Sequence, residues 1–439
     1  MREKCGVFGI YTQKKSYETI QNVIQGLELL QHRGQESCGI AYEQNDSLFC
    51  QTTPGLVKNA FKDIKNENIL SNKCIGHVRY STSGKSKNDI SNLHSESQPL
   101  YGKCKLGGFF LAHNGNVPNL NEHDTKYIIH FIKNSSGSSW REIFMELLDK
   151  IHVAYCLLVI TSHEIYAIRD RYGIRPLCIG QYKEVDFCFS SESCALQHFV
   201  YERDVQPGEV VMVNKDGLSS IYTFPQATLK LCAFECIYFM KEKSICNGML
   251  VSEIRTLFGK ELANKETQSF GDNIIVVGVP MSGIVSAKSY ADTLQLPYLQ
   301  VIEKNENVGR TFIAPSNEER LSLCRKKFSY NESEIKDKNI ILVDDTVVRG
   351  NVMKTIIQEM YKCGAKQIHV RIPSPKIIDK CTLGIDIPSC EELLAFDKTN
   401  DEIAKELKVS TINYLEYDDL DKILPFSTYK ECFGETFVY

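Results

Sequence analysis

An α+β half followed by an α/β half with a parallel sheet is the fold class this chain predicts. Three observations carry the prediction. Up to about residue 224, short β-branched and aromatic runs follow one another with two helical stretches between them. From about residue 273, strand and helix alternate, which argues a parallel sheet with crossover helices. A length of 439 residues sets a prior of two or three domains, and an apolar share of 43% is ample for packed cores.

The elements follow in order. Runs at 5–10, 37–42, 74–80, 108–113, 155–160, 165–169 and 187–190 read as strands bounded by turns. Apolar residues recur at helical spacing over 19–30 and 123–133. Between them, Ser135-Ser136-Gly137-Ser138-Ser139 reads as a short loop. Pro207-Gly208 is expected to close a strand pair, and Phe224-Pro225 marks a linker-like turn, so the domain boundary is placed near residue 230. Strand 273–279 then precedes helix 283–294, and strand 339–343 precedes helix 352–363, with a further strand over 367–372. The domains expected are 5–230 and 231–439.

Composition excludes several classes. The net charge is −4 and its charges are dispersed, so a nucleic-acid partner is not expected. No apolar run is long enough to span a bilayer, and no signal-type segment opens the sequence. A soluble, cytoplasmic protein is expected. Seventeen cysteines is high but odd, and the chain is long, so a disulfide scaffold is disfavoured. Most, such as Cys156 and Cys188, are expected to be buried as small apolar residues.

The most informative stretch is Asp344-Asp345-Thr346-Val347-Val348-Arg349-Gly350, directly after the apolar run 339–343. A buried parallel strand that ends here delivers its loop to the carboxyl edge of the sheet, where such sheets bind ligands. Paired acids suit a ribose diol and its divalent metal, and the loop amides with the following helix N-terminus suit a phosphate. The bland alternative is a strand end with solvated acids. The seven residues together resemble the phosphoribosylpyrophosphate (PRPP) signature of the phosphoribosyltransferases.

Four further motifs lie in the first half. They are Cys5-Gly6-Val7-Phe8-Gly9-Ile10, Gln31-His32-Arg33-Gly34-Gln35-Glu36-Ser37, Gly76-His77-Val78-Arg79-Tyr80-Ser81-Thr82 and Ala112-His113-Asn114-Gly115-Asn116. They resemble the glutaminase domain of the N-terminal-nucleophile amidotransferases. In this order, and over essentially the whole chain, both halves resemble the amidophosphoribosyltransferase family. The resemblance implies αββα layers in the first half and a phosphoribosyltransferase sheet in the second. It implies transfer of the glutamine amide nitrogen to PRPP, giving 5-phosphoribosylamine, glutamate and pyrophosphate, the first committed step of purine synthesis.

The roles it implies fall residue by residue. Cys5 is the nucleophile, and its own α-amine is the base, because an α-amine titrates near neutrality. That requires residues 1–4 to be removed as a propeptide. Asn114 and Gly115 form the oxyanion hole. Arg79 takes the glutamine α-carboxylate as a planar fork, and Asp124 takes the α-ammonium. Each has a plain rival: a buried strand thiol, a hairpin turn at Asn114-Gly115, a surface ion pair at Arg79, a helix cap at Asp124. Asp344 and Asp345 hold the PRPP hydroxyls and Mg²⁺, while Val348, Arg349, Gly350 and Asn351 wrap the 5′-phosphate. Lys304, Arg310 and Thr311 belong to a lid over PRPP.

Some departures from the family pattern stand in the second half. Asn351-Val352 replaces Thr-Thr, Glu306-Asn307 replaces Arg-Tyr in the lid, Met281 replaces an acid, and Lys241-Glu242-Lys243 replaces Arg-Pro-Asp. Some family members carry a [4Fe–4S] cluster on four cysteines. Here Cys232, Cys381 and Cys432 match three positions and Tyr429 stands at the fourth, with Cys236 or Cys390 as substitutes that spacing leaves open. Purine nucleotide inhibition and a homotetramer are also implied. Two rivals are set beside this reading. A glucosamine-phosphate or asparagine synthetase would share only the first half. A PRPP or nucleotide sensor would keep the glutaminase but have weak or lost transferase activity.

Overall fold

The structure is a computed structural model. It describes residues 5–438 except 63, 65–67, 81–95, 121, 306–327 and 384–388. Two antiparallel sheets form the first half. The seven-stranded sheet has Gly6–Ser16 near its middle, with Ser71–Arg79 on one side and Asp186–Ser190 on the other. The six-stranded sheet has Tyr155–Ile160 between Gly107–Gly115 and Ile165–Arg169. Strand alternation decides what each face buries. Phe8 and Ile10 turn to the helix Glu18–Leu29, where they pack with Ile20, Val23, Ile24 and Leu27. Val7 and Tyr11 turn the other way and meet Ala112, Cys156 and Leu158 of the second sheet. The outer face of that second sheet is covered by helices Asp124–Asn134 and Trp140–Lys150 through Ile128, Ile132, Phe144 and Leu147. The result is the expected order of helix, sheet, sheet and helix.

One expectation is corrected. Pro207-Gly208 does not close a strand pair. The strand before it, Val200–Asp204, belongs to the seven-stranded sheet, and the strand after it, Glu209–Asn214, belongs to the six-stranded sheet. The turn carries the chain across the sandwich, with Gly208 at φ +67°.

Ile274–Gly278, Asn339–Val343, Gln367–Ile372 and Thr411–Tyr414 form a parallel sheet in chain order. Both faces are covered, which is why the central run is apolar without alternation. Ile341 and Val343 pack with Val251, Ile254 and Ala287 of helices Val251–Asn264 and Gly283–Leu294. Ile340 and Leu342 pack with Met353, Ile356 and Ile357 of helix Asn351–Lys362. Val153, Ala154 and Ile174 of the first half join the former cluster, so the halves share apolar packing.

Candidate active sites

Cys5 stands just before the strand Gly6–Ser16, half-buried, with Sγ 4.0 Å from the Tyr80 carbonyl oxygen. The neighbouring strand pairs Val78 with Gly6, so Arg79 emerges beside Cys5. One cavity is lined by Cys5, Arg79, Asn114, Gly115 and Asp124, joined by Gln98, His113, His123 and Arg175. All five glutaminase residues named from the sequence are thus brought together.

Geometry bears on three of the plain rivals. Arg79 is buried and pairs with Glu36 at 3.3 Å and with Glu96. Asn114 and Gly115 end a strand opposite Cys156 and Tyr155 rather than turning a hairpin. Gly115 has φ +155°, and a Cβ there would sit 2.0 Å from the Ala154 oxygen, so only glycine fits. Asp124 is the first residue of its helix, not the cap, which is His123. Its carboxylate accepts from Thr125 N at 2.7 Å and from Val117 N at 3.4 Å.

Behind the cavity lies a buried polar layer. His77 Nε2 contacts the His113 carbonyl oxygen at 2.9 Å, and Gln98 Oε1 accepts from His113 N at 2.7 Å. Burial holds both imidazoles neutral: it pushes His77 down to about 3 and lowers His113. Ser191 ties the strand Gly6–Ser16 to Asn114. Its hydroxyl accepts from Val7 N at 2.9 Å and from Asn114 Nδ2 at 3.3 Å.

The second site sits at the carboxyl edge of the parallel sheet. Asp344 and Asp345 follow the strand Asn339–Val343 and are largely buried. Asp345 accepts from Ser282 Oγ at 2.6 Å and from Thr346 Oγ1 at 3.1 Å, and its own N–H donates to Asp344 Oδ1 at 3.0 Å. Ser282 therefore joins the loop at Met281 to the carboxylate pair. Among the described residues no group of three or more His, Cys, Asp or Glu could hold a metal. The adjacent acids still fit Mg²⁺ bound with its substrate, since Mg²⁺ takes most of its ligands from phosphates and water. Gly350 stands at φ +74°, capping helix Asn351–Lys362, and Leu394 N donates to the Val348 oxygen at 2.8 Å. Arg349 pairs with Glu392 at 2.6 Å. Lys304 is exposed at the end of a short strand. Arg310 and Thr311, with Glu306 and Asn307, lie outside the described residues.

The residues do not fit a four-thiolate cluster. Cys232 and Cys432 are buried, and burial pushes the Cys232 thiol up to about 12. Tyr429, also buried, donates its hydroxyl to Glu431, which accepts from Thr382 N at 2.9 Å and Thr382 Oγ1 at 2.8 Å. Of the two substitutes, Cys390 contacts Asp379 at 3.3 Å and Cys236 contacts Cys246 at 3.4 Å.

Sequence reasoning missed Ser191, Arg175, Glu192 and Glu235, whereas Ser282 lies in Pro280-Met281-Ser282-Gly283, a stretch that resembles the family's pyrophosphate loop. Glu235 stands in the run 234–239, where the cysteines drew attention instead.

Comparison with known proteins agrees with this geometry. Residues 86–198 match the glutamine amidotransferase domain family, and residues 250–374 match the phosphoribosyl transferase domain family. The fold and sites therefore define a glutamine amidotransferase joined to a phosphoribosyltransferase. The chain is 36% identical over 454 residues to chloroplastic amidophosphoribosyltransferase 1 of Arabidopsis thaliana, covering 99% of this chain and 78% of the relative. It is 38% identical to the amidophosphoribosyltransferase of Pyrococcus horikoshii, covering 94% and 92%. A solved structure of glutamine PRPP amidotransferase from B. subtilis, complexed with ADP and GMP, superposes with a TM-score of 0.86 at 31% identity, covering 98% and 96%. The chain belongs to the amidophosphoribosyltransferase family. Its activity is that of a glycosyltransferase acting at the first step of purine biosynthesis. These likenesses give the sensor reading no support.

Proposed function

We propose that glutamine is hydrolysed at Cys5 and that its ammonia is consumed at Asp344 and Asp345. The cavity that gathers Cys5, Arg79, Asn114, Gly115 and Asp124 carries this reading. The glutamine α-carboxylate takes the Arg79 fork in place of a glutamate, and the α-ammonium sits on Asp124. The Cys5 sulfur forms a bond to the amide carbon. The oxyanion takes hydrogen bonds from Asn114 Nδ2 and Gly115 N–H. The freed α-amine of Cys5 receives the thiol proton and returns it to the departing ammonia. Water then releases glutamate. That chemistry needs residues 1–4 removed, because an α-amine in a peptide bond is no base.

In the second site, ammonia forms a bond to C1 of PRPP as pyrophosphate leaves. Asp344 and Asp345 would hold the ribose hydroxyls and Mg²⁺, which would supply positive charge against the leaving diphosphate. Val348 to Asn351 would hold the 5′-phosphate at the helix N-terminus. Lys304, Arg310 and Thr311 are proposed to close over the substrate. Catalysis here is mainly positioning and charge stabilisation. We place the domain boundary near residue 230 and read the three cysteines as a sealed apolar remnant rather than a cluster. The regulators proposed are purine nucleotides, in keeping with the ADP and GMP bound to the B. subtilis relative. A homotetramer is proposed, and light scattering reads its mass.

Cys5→Ala tests the reading. Glutamine-dependent synthesis should vanish while synthesis from free ammonia continues. Full glutamine use by protein that retains residues 1–4 would overturn it.

A further inference from the structure

Arg33 is fully buried, and its guanidinium has every nitrogen engaged. Nε donates to the Cys5 carbonyl oxygen at 3.0 Å. Nη1 donates to Glu192 at 2.6 Å and to Glu235 at 3.0 Å, and Nη2 donates to Glu235 at 2.8 Å. A guanidinium is a rigid plane, so the carboxylates that grip its far edge fix where Nε points. What Nε holds is the backbone of Cys5.

Glu235 also takes Arg175 Nη1 at 3.2 Å. Arg175 lines the cavity that holds Cys5, and its Nη2 donates to the Leu383 carbonyl oxygen at 2.9 Å. Both arginines belong to the first half of the chain, whereas Glu235 belongs to the second and is itself fully buried. Glu192 is similarly shared: it accepts from His32, Lys241 N and Ser244 Oγ as well as Arg33. Burial alone would raise its carboxyl, but His32 and Arg33 hold it well below the usual range. Two carboxylates and two guanidiniums thus balance in a buried interface behind the nucleophile.

We infer that Glu235 is a positioning residue for the glutaminase: a side chain of the phosphoribosyl half that aims Arg33 at the Cys5 carbonyl and holds Arg175 at the cavity wall. The inference rests on the reading of Cys5 as nucleophile. Glutamine hydrolysis is then complete only when the second half is docked.

The test uses full-length protein processed to Cys5. Glu235→Gln keeps shape but turns an amide against Arg33. The kcat for glutamine hydrolysis should fall about a hundredfold, the loss expected from slight misplacement of a reacting group. The KM for glutamine should stay within about threefold, since Glu235 reaches no substrate atom, and ammonia-dependent synthesis should be unchanged. Glu235→Asp retains the charge if the glutamine variant fails to fold. It should give a smaller kcat loss with the same split. Arg33→Lys should lose as much as Glu235→Gln, and the double variant no more than either. An unchanged kcat in Glu235→Gln and in Glu235→Asp, or a parallel fall in ammonia-dependent synthesis, would overturn the inference. Cys5→Ala, assayed alongside, separates the two failures. Surviving glutamine hydrolysis there removes the nucleophile and the inference with it. Its loss, together with an indifferent Glu235, removes only the inference.

Discussion

Asp344 and Asp345 are adjacent in sequence but differ in their surroundings. Asp345 already accepts two hydroxyls, from Ser282 and Thr346, while Asp344 caps the N–H of its neighbour. Replacing either by asparagine removes one negative charge from the pair proposed to hold the metal and the diol, without changing its shape. Synthesis from ammonia and from glutamine should both fall by at least about a hundredfold, while basal glutamine hydrolysis persists. Product formation against Mg²⁺ concentration measures this, and a normal rate with unchanged Mg²⁺ dependence would reject the assignment of that acid. His77 supplies a second prediction at this scale. Its imidazole sits at about 3, against an ordinary value near 6.5, because burial disfavours the charged form. Below pH 6.5 the unfolded chain binds a proton that the folded chain refuses. Stability is therefore present above that pH and is lost as pH falls toward 3. The slope is about 1.4 kcal/mol per pH unit for one such group. Urea denaturation at pH 7 and pH 5 should show this loss, and His77→Gln should reduce it by about one proton. Identical slopes in the two proteins would mean that His77 titrates normally.

At the scale of elements, strand ends bring the cavity residues together. Asn114 and Gly115 close one strand, Arg79 closes another, and Cys5 opens a third. Gly115→Ala places a methyl 2.0 Å from the Ala154 oxygen, so the end of the strand Gly107–Gly115 must shift and the oxyanion donors with it. The kcat for glutamine should fall about a hundredfold or more, with ammonia-dependent synthesis spared. Steady-state assays with each nitrogen donor read the difference, and equal losses would point to unfolding instead. Much of this was legible in the sequence because strand runs and motifs coincide. Strands 155–160, 165–169, 339–343 and 367–372 match their predicted bounds. Helix Trp140–Lys150 was not read. Its start looks like the tail of a serine-rich loop, although Ser139 is its cap and accepts from Glu142 N at 3.3 Å. The crossing at Pro207-Gly208 was invisible for another reason. A turn between two strands looks the same whether they pair or part, and only the packing of two sheets decides.

At the scale of the whole molecule, the chain's last strand returns to the beginning of its second half. Leu231–Cys232 pairs in parallel with Thr428–Tyr429, which brings Cys232 and Cys432 into one core cluster with Cys381 packed against it. Sequence spacing aligned these thiols with ligand positions but could not show what Tyr429 does. Its ring is buried between the two segments, edge-on to Phe437, and its hydroxyl is bonded to Glu431, which in turn holds Thr382. That chain of hydrogen bonds links residues 382 and 429–431. Cys232 and Cys432 are buried, and three thiols are one short of the four that such a cluster requires. Protein purified without oxygen should therefore contain well under one iron and one acid-labile sulfide per chain, and exposure to air should leave its activity intact. Tyr429→Phe removes only the hydroxyl. It leaves the Glu431 carboxylate with one partner fewer in a largely buried setting and should lower stability by about 1–3 kcal/mol. Iron and sulfide analysis decides the first point and denaturant melting the second. Stoichiometric iron and sulfide in the native chain would show that three cysteines suffice and that the hydrogen-bonded tyrosine yields its place.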